Sequence, residues 1–354
     1  MAGGGSGGHV IPALAVAREL RARGHSVRFI GTRRGMEAKL VPPEGFPIEW
    51  IEIGGLKRVG PKKSLAALAQ LPWSIWHASR MLRYAAPAAV FSTGGYVAGP
   101  VLVAAIRSRI PVIVMEANAV PGFTHRRLAR FAARAFVSFP ETARWFPKER
   151  VEVSGLPVRE EFFAIPPIGP PMPGQPFTVL ITGGSQGSRT LNLAAEQSWP
   201  LLDRNGVRMI HQTGAAAFEE LAPRFRDSGV HGEIHPFLDD MPGAFARAHL
   251  VVSRAGMGAV SELAAAGKPS ILVPLPTASD QHQLHNAQAL QRAGAALLIP
   301  DRDMTGARLA QEIARLAADP ARLEEMAKAA RTFAKPGAAR RVAEILESLA
   351  GRRD

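Results

Sequence analysis

Cysteine is absent from all 354 residues. That excludes disulfides, thiolate metal sites and thiol nucleophiles. Aromatic residues make up only 6% of the chain. With no recognisable nucleic-acid module beside them, they argue against a DNA- or RNA-binding protein. No apolar run reaches the roughly 18 residues that a membrane span needs. No signal peptide is expected either, since the chain opens on glycines where a signal peptide carries its hydrophobic region. These absences lead to the expectation of a cytoplasmic globular protein, and the length suffices for two domains of ordinary size.

Acidic residues are scarce in one half only. Residues 1–157 hold 22 Lys and Arg against 9 Asp and Glu, whereas residues 158–354 hold 21 of each. The whole net charge of +13 therefore sits in the first half. A basic half beside a neutral one predicts an anionic surface or ligand on one side.

What is present is an alternation of strand and helix. Helices are predicted over 10–23, 35–41, 62–86, 99–109 and 122–133, and strands over 25–31, 48–53, 88–95, 111–118 and 134–139. A proline-dense stretch at 155–176 reads as a linker. The pattern then restarts with strand 177–182, loop GGSQGS and a helix, and runs on through strands 208–213, 232–237, 249–254, 269–274 and 295–300. A last helix is expected over 337–350, after Pro336, with 336–354 packing back on the first domain. The expected fold is α/β, with two doubly wound parallel-sheet domains, 1–157 and 158–335, facing a cleft.

Each half opens on a glycine-rich turn that feeds a helix. Gly3, Gly5 and Gly8 fit G-x-G-x-x-G, but the second strand ends on Gly31 and Thr32 with Arg33 and Arg34 next, so the carboxylate that would hold a dinucleotide ribose is missing. No Gly-Lys-Ser/Thr follows the loop, which excludes a P-loop. What remains is backbone able to approach a ligand closely, and helix-start N–H groups that favour negative charge. His9 stands at the first turn beside this loop and reads as functional rather than structural. In the other half Gly256 and Gly258 open a turn with Glu262 in the helix beyond, and Asp280, His282, Gln283 and Asn286 form a polar cluster after the next strand. A carboxylate at a helix start can offset the dipole or grip a sugar through two hydroxyls. Asp301 and Asp303 form an Asp-x-Asp, but their place before a helix reads as capping with Thr305 rather than as a metal site.

The blocks GGGSGGHVIPALAVA, TGGYVAGP, MEANAVPG, SGLPVR, GGSQGSRTLN, SRAGMGAVSELAAAGKP and DQHQLHNA stand in one order along nearly the whole chain. Together they resemble the MurG family of N-acetylglucosaminyltransferases, which convert lipid I to lipid II in peptidoglycan synthesis. The resemblance implies a GT-B fold and an inverting transfer of GlcNAc from UDP-GlcNAc to the 4-hydroxyl of the muramoyl sugar on undecaprenyl diphosphate. It places Ser6, Gly7 and Gly8 against the donor or acceptor diphosphate, Asn118 and Glu116 along the cleft, and Arg159 toward the donor, and the base that an inverting transfer needs is expected in His9 first and Glu116 second. It also places Ser185 on the donor phosphates, Leu238 near the uracil, and the run Met257, Gly258, Ala259, Val260, Ser261, Glu262 over the nucleoside, with Glu262 on the ribose. Gln283 is expected to read the GlcNAc hydroxyls. Tyr96, Gln186, His282 and Asn286 are further cleft candidates. UDP-GlcNAc is then a substrate, and neither a metal nor another cofactor is expected. A lipid glucosyltransferase, a UDP-GlcNAc 2-epimerase and a non-catalytic UDP-sugar-binding relative are the alternatives, with EAN and GGYVAGP arguing against the first two.

A lipid-linked acceptor accounts for the basic half. Residues 56–87 set Lys57, Arg58, Lys62, Lys63, Arg80 and Arg83 around Leu65, Leu68, Leu71, Trp73, Ile75 and Trp76. That is the composition of an interfacial anchor as well as of a packed amphipathic helix. The expected location is the cytoplasmic face of the membrane, with other cell-wall enzymes as partners. Family members carry a strand before the first glycine loop. Only Met1 and Ala2 precede it here, so the expectation is a missing central strand and a start codon assigned too far downstream. Met257, Gly258 and Ala259 also replace a turn that commonly carries a hydroxyl residue in the family.

Overall fold

The computed structural model describes residues 1–53, 60–167, 169, 171, 174–203 and 206–351, and only the backbone path of 60–69. The chain divides into two compact units, Met1–Pro157 with Gly337–Asp354, and Val158–Pro336.

The first unit runs β1 (Ala2–Gly3), α1 (Gly7–Ala22), β2 (Phe29–Gly31), α2 (Glu37–Leu40), β3 (Ile48–Trp50), α3 (Gly60–Ala85), β4 (Val90–Gly94), α4 (Ala98–Arg107), β5 (Val112–Glu116), α5 (Phe123–Leu128), β6 (Arg134–Val137) and β7 (Val151–Val153). Its parallel sheet has the order β3-β2-β1-β4-β5-β6-β7. Every residue of β4 and β5 is buried, as expected of parallel strands covered on both faces. The strand expected to be missing is a correction to the sequence reading. Ala2–Gly3 takes the central position, with Ala2 paired to Ile30 on one side and Ser92 on the other. The Met1 carbonyl adds a bond from the Ile30 N–H at 2.9 Å.

The second unit contains α6 (Glu160–Phe163), β8 (Phe177–Thr182), α7 (Arg189–Ser198), β9 (Val207–Gln212), α8 (Ala215–Ser228), β10 (Gly232–His235), α9 (Met241–Arg247), β11 (Leu250–Ser253), α10 (Met257–Ala266), β12 (Ser270–Leu272), α11 (His282–Arg292), β13 (Ala296–Leu298), α12 (Gly306–Ala317) and α13 (Pro320–Arg331). Its parallel sheet has the order β10-β9-β8-β11-β12-β13. Part of the stretch read as linker is built into this unit. Phe162 of α6 is fully buried and meets Phe245 edge-on at 5.1 Å between ring centres. Burying such a ring contributes about 1.5–3 kcal/mol, enough to hold one helical turn in place.

The last helix, α14 (Ala338–Ala350), packs against α1 in the first unit. Val342 and Ala343 are buried, while Glu347 pairs with Arg23 at 3.0 Å and His25 at 2.8 Å. Those solvent-screened pairs contribute little, so the apolar face carries the attachment.

One buried polar pair gives the second unit a pH dependence. His211 is sealed in β9 with Nε2 on Asn192 Oδ1 at 3.1 Å, and Asn192 donates to the Thr213 carbonyl at 2.9 Å. Burial pushes the imidazole down to about 4, so it is neutral in the fold, whereas the unfolded chain takes up the proton near 6.5. The unfolded state therefore binds more protons between these values, and stability falls as pH drops from 6.5 to 4, by on the order of 3 kcal/mol. Thermal melts across this range are expected to show the loss, and His211→Gln, which keeps a donor for Asn192, is expected to flatten it.

Candidate active site

The glycines of the first loop are explained by what presses on them. A Cβ on Gly3 would overlap Thr93 Oγ1, and one on Gly4 would stand 2.6 Å from Glu37 Oε1. Glu37, fully buried, accepts the Gly5 N–H at 2.8 Å through Oε2 and both the N–H and the hydroxyl of Thr32 at 2.9 Å through Oε1. Thr32 Oγ1 also meets the Tyr96 hydroxyl at 2.9 Å, so Tyr96 is drawn into the loop's support. The carboxylate that the strand end lacks arrives six residues later, from α2, and binds the loop itself. Sequence reasoning missed Glu37, and its position shortly after β2 was the only signal.

α1 begins at the exposed end of this loop. The Ser6 carbonyl accepts the N–H groups of His9 and Val10 at 3.1 and 3.2 Å, while the Ser6 side chain makes no capping bond. The first-turn amides of Gly7 and Gly8 have no place in the intrahelical ladder and carry the positive end of the dipole. His9 is fixed by Thr93 twice: its Nδ1 lies 2.8 Å from the Thr93 carbonyl, and Thr93 Oγ1 donates to the His9 carbonyl at 2.7 Å. A carbonyl only accepts, so Nδ1 carries the proton and Nε2 is the basic nitrogen.

Glu116 is differently placed. It ends β5, buried, and all its hydrogen bonds run to its own loop or to His125. Oε1 accepts the Asn118 N–H at 3.0 Å and its side-chain amide at 3.2 Å, while Oε2 accepts the Gly122 N–H at 3.1 Å and His125 Nδ1 at 2.9 Å. Burial alone would raise its pKa, but the His125 contact and the two backbone N–H groups outweigh that and hold it below the usual carboxylate range. A carboxylate engaged in this way organises the 116–122 loop and orients Asn118, and is a poor proton acceptor.

In the second unit, loop 183–187 joins β8 to α7, whose N-cap Ser188 accepts the Leu191 N–H at 3.3 Å. Ser185 and Gln186 stand exposed at its tip. Its shape depends on Gln212, a residue sequence reasoning did not single out. The buried carboxamide donates to Thr182 Oγ1 at 3.2 Å and the Gly184 carbonyl at 2.9 Å, and accepts the Leu238 N–H at 2.9 Å. One side chain thus ties the loop to the turn after β10.

α10 starts at Met257 with Gly256 as N-cap. Met257 and Val260 point into the core, so a ligand here would meet Gly258, Ala259, Ser261 and the first-turn amides rather than those two side chains. Burial pushes the Glu262 carboxyl up to about 7, against the opposing pull of the Arg159 charge. Gln283 accepts the Leu275 N–H through Oε1 at 3.0 Å and turns its amide nitrogen toward Gly256. His282 is tied through Nδ1 to the Ser279 carbonyl at 2.6 Å. Asn286 is a correction. It is fully buried and donates to the Ala255 carbonyl at 3.2 Å, so it pins the turn from behind and does not line a binding surface. Asp280 and Gln281 both adopt left-handed backbone, φ 52° and 53°, a strain of about 1–3 kcal/mol each that sets the angle at which α11 presents Gln283. Asp301 is ion-paired with Arg254, and Thr305 caps α12 through the Arg308 N–H at 3.2 Å.

The surface of the first unit carries exposed aromatics beside arginines. On α3, Trp73 and Trp76 stack at 4.8 Å with Arg80, Arg83 and Tyr84 also exposed, while Ser74, Ala78, Met81 and Leu82 face inward. Lys57, Arg58 and the side chains of Lys62, Lys63, Leu65 and Leu68 lie outside the described residues. A second group, unforeseen from the sequence, sets Arg127 over Phe123, Arg130 over Phe131, and Arg126 and Arg144 over Trp145. Among the described residues no helix is long and apolar enough to cross a membrane.

Comparison with known proteins fits this arrangement. Residues 1–137 match the glycosyltransferase family 28 N-terminal domain and residues 178–342 its C-terminal domain. A UDP-N-acetylglucosamine–N-acetylmuramyl-(pentapeptide) pyrophosphoryl-undecaprenol N-acetylglucosamine transferase of Solibacter usitatus is 59% identical over 99% of this chain and 95% of its own length. A protein of the same name from Anaeromyxobacter is 43% identical over 100% and 93%. The crystal structure of Acinetobacter baumannii MurG superposes with a TM-score of 0.83 at 33% identity, covering 98% of both chains. With both units matched in order and over nearly their full length, the chain belongs to the MurG family of glycosyltransferase family 28.

Proposed function

We propose that this chain transfers GlcNAc from UDP-GlcNAc to the 4-hydroxyl of the muramoyl sugar of lipid I, forming lipid II. The observation that carries this reading is the 59% identity to a transferase of that name across both units, acceptor half and donor half alike. In the step, the acceptor oxygen attacks C1 of GlcNAc while the bond from C1 to the β-phosphate oxygen breaks with inversion. UDP leaves with the electron pair, and the acceptor's proton passes to His9 Nε2. The fixed tautomer of His9 supports this role, because the basic nitrogen is set before substrate arrives.

The first unit takes the acceptor, with Ser6, Gly7 and Gly8 on its diphosphate and Asn118, held by Glu116, beside the sugar. The second takes UDP-GlcNAc, with Ser185 and its loop amides on the phosphates, Leu238 at the base, Glu262 on the ribose and Gln283 donating to the GlcNAc hydroxyls. Arg159 and the α10 amides offset the charge that builds on UDP. UDP-GlcNAc is itself the donor, and the step as drawn uses no further cofactor. The acceptor's lipid tail places the protein peripherally at the cytoplasmic face of a membrane, a reading supported by the exposed Trp73–Trp76 pair and its arginines.

Four outcomes follow. The chain in detergent should release UDP from UDP-GlcNAc only when a lipid I analogue is present; release without acceptor, or none with it, overturns the transferase. His9→Ala should lower kcat by about 10²–10⁴-fold with UDP-GlcNAc affinity, read by calorimetry, unchanged. Ribose hydroxyls bind the ionised Glu262 better, so UDP-GlcNAc affinity should strengthen from pH 6 to pH 8 and lose that dependence in Glu262→Gln. Sedimentation with vesicles containing phosphatidylglycerol should weaken about tenfold in a Trp73→Ser, Trp76→Ser variant, with little binding to purely zwitterionic vesicles in either form.

A further inference from the structure

Ser92, His125 and Glu116 are all buried and form a line that the transfer step does not use. His125 Nδ1 lies 2.9 Å from Glu116 Oε2, and its Nε2 lies 3.4 Å from Ser92 Oγ. Ser92 Oγ also accepts the Gly94 N–H at 3.1 Å. The bond directions can be read off. A carboxylate only accepts, so Nδ1 of His125 carries its proton and donates to Glu116. The Ser92 oxygen has taken the Gly94 N–H, and its single hydroxyl proton points to His125 Nε2.

The Gly94 N–H belongs to the same peptide unit as the Thr93 carbonyl, and that carbonyl accepts His9 Nδ1 at 2.8 Å. Both ends of one peptide plane are thus held, one by His9 and the other by Ser92. Every donor in the line points the same way, from His9 through the Thr93–Gly94 peptide, Ser92 and His125 to the carboxylate of Glu116. Aligned bonds of this kind polarise one another in a water-free interior. Gly94 is the only residue type that fits the crossing point. Its φ is +97°, and a Cβ there would stand 3.3 Å from Cε1 of both His9 and His125.

We propose that His125 is a positioning residue for the transfer: with Ser92 and Glu116 it holds the Thr93–Gly94 peptide so that the Thr93 carbonyl keeps His9 in the tautomer whose Nε2 takes the acceptor's proton. The inference rests on the role given to His9 under the proposed function. It differs from a purely structural role in what it predicts for His9.

The test uses three variants of the full chain. His125→Phe removes both contacts. His125→Asn restores a donor near Nδ1 for Glu116 but leaves Ser92 unmet. Ser92→Ala cuts the line at its middle. His125→Phe and Ser92→Ala are each expected to lower kcat about tenfold or more, with KM for UDP-GlcNAc within about twofold. His125→Asn should regain the melting temperature lost in His125→Phe but not the rate. Combining His125→Phe with Ser92→Ala should cost little more than either alone, because both break one line. Nitrogen NMR of His9, identified by the signal missing in His9→Gln, should show the Nδ1–H tautomer in the wild type and a mixture in Ser92→Ala. Folded variants with kcat within twofold of wild type, single effects that multiply in the double variant, or an unchanged His9 tautomer would each overturn the inference. Those results are separable from failure of the proposed function, which is read from the wild type alone, and the NMR arm needs no turnover.

Discussion

A carboxylate or carboxamide sealed from water must have its hydrogen bonds met, and in this protein the groups that meet them are the loops at the strand ends. Glu37 takes loop and strand-end N–H groups in the first glycine loop, and Glu116 takes them in the 116–122 loop. Gln212 does the equivalent in the second unit, where the loop offers one N–H and two oxygens, so that an amide fits and a carboxylate would not. Leaving such a group unmet costs about 1–3 kcal/mol, and more for a charge. The loops are therefore held at their working shape before any ligand arrives. Ser6, Gly8, Ser185 and Gln186, between the struts, stay exposed.

The same constraint explains the glycines better than ligand approach alone. Gly3 and Gly4 yield to Thr93 and Glu37, and Gly94 to two imidazoles. Each glycine makes room for the side chain that fixes its loop. Rigid backbone suits group-transfer chemistry, since amides stabilise a developing charge most when they need not reorganise during the step.

Charge is divided by the same logic. The first unit carries exposed arginines beside aromatic rings, suited to an anionic interface, and buries its two site carboxylates where they act on backbone rather than on substrate. In the second unit the Glu262 carboxyl is poorly solvated yet partly open beside Arg159, where a change of partner can change its charge.

The alternation of strands and helices, the two-sheet plan and the family were legible in the sequence, because periodicity and short motifs are local properties of the chain. His9 drew attention for the same reason, standing next to a loop whose composition is unusual. Glu37, Gln212 and His125 were not legible, since each acts on residues 26 to 33 positions away or lies in an unremarkable helical context, and only folding brings donor and acceptor together. Asn286 looked like a ligand in sequence and proved to be a buried pin, because a polar residue on a helix gives no sign of which face meets the core. Two residues, Ala2 and Gly3, filled the strand position that the sequence left apparently empty, since sheet partners decide where a strand can form. Composition and spacing determined the fold class and the chemistry to look for; tertiary structure decided which polar residues face a ligand and which are consumed in holding the backbone, because that depends on burial and on partners distant in sequence.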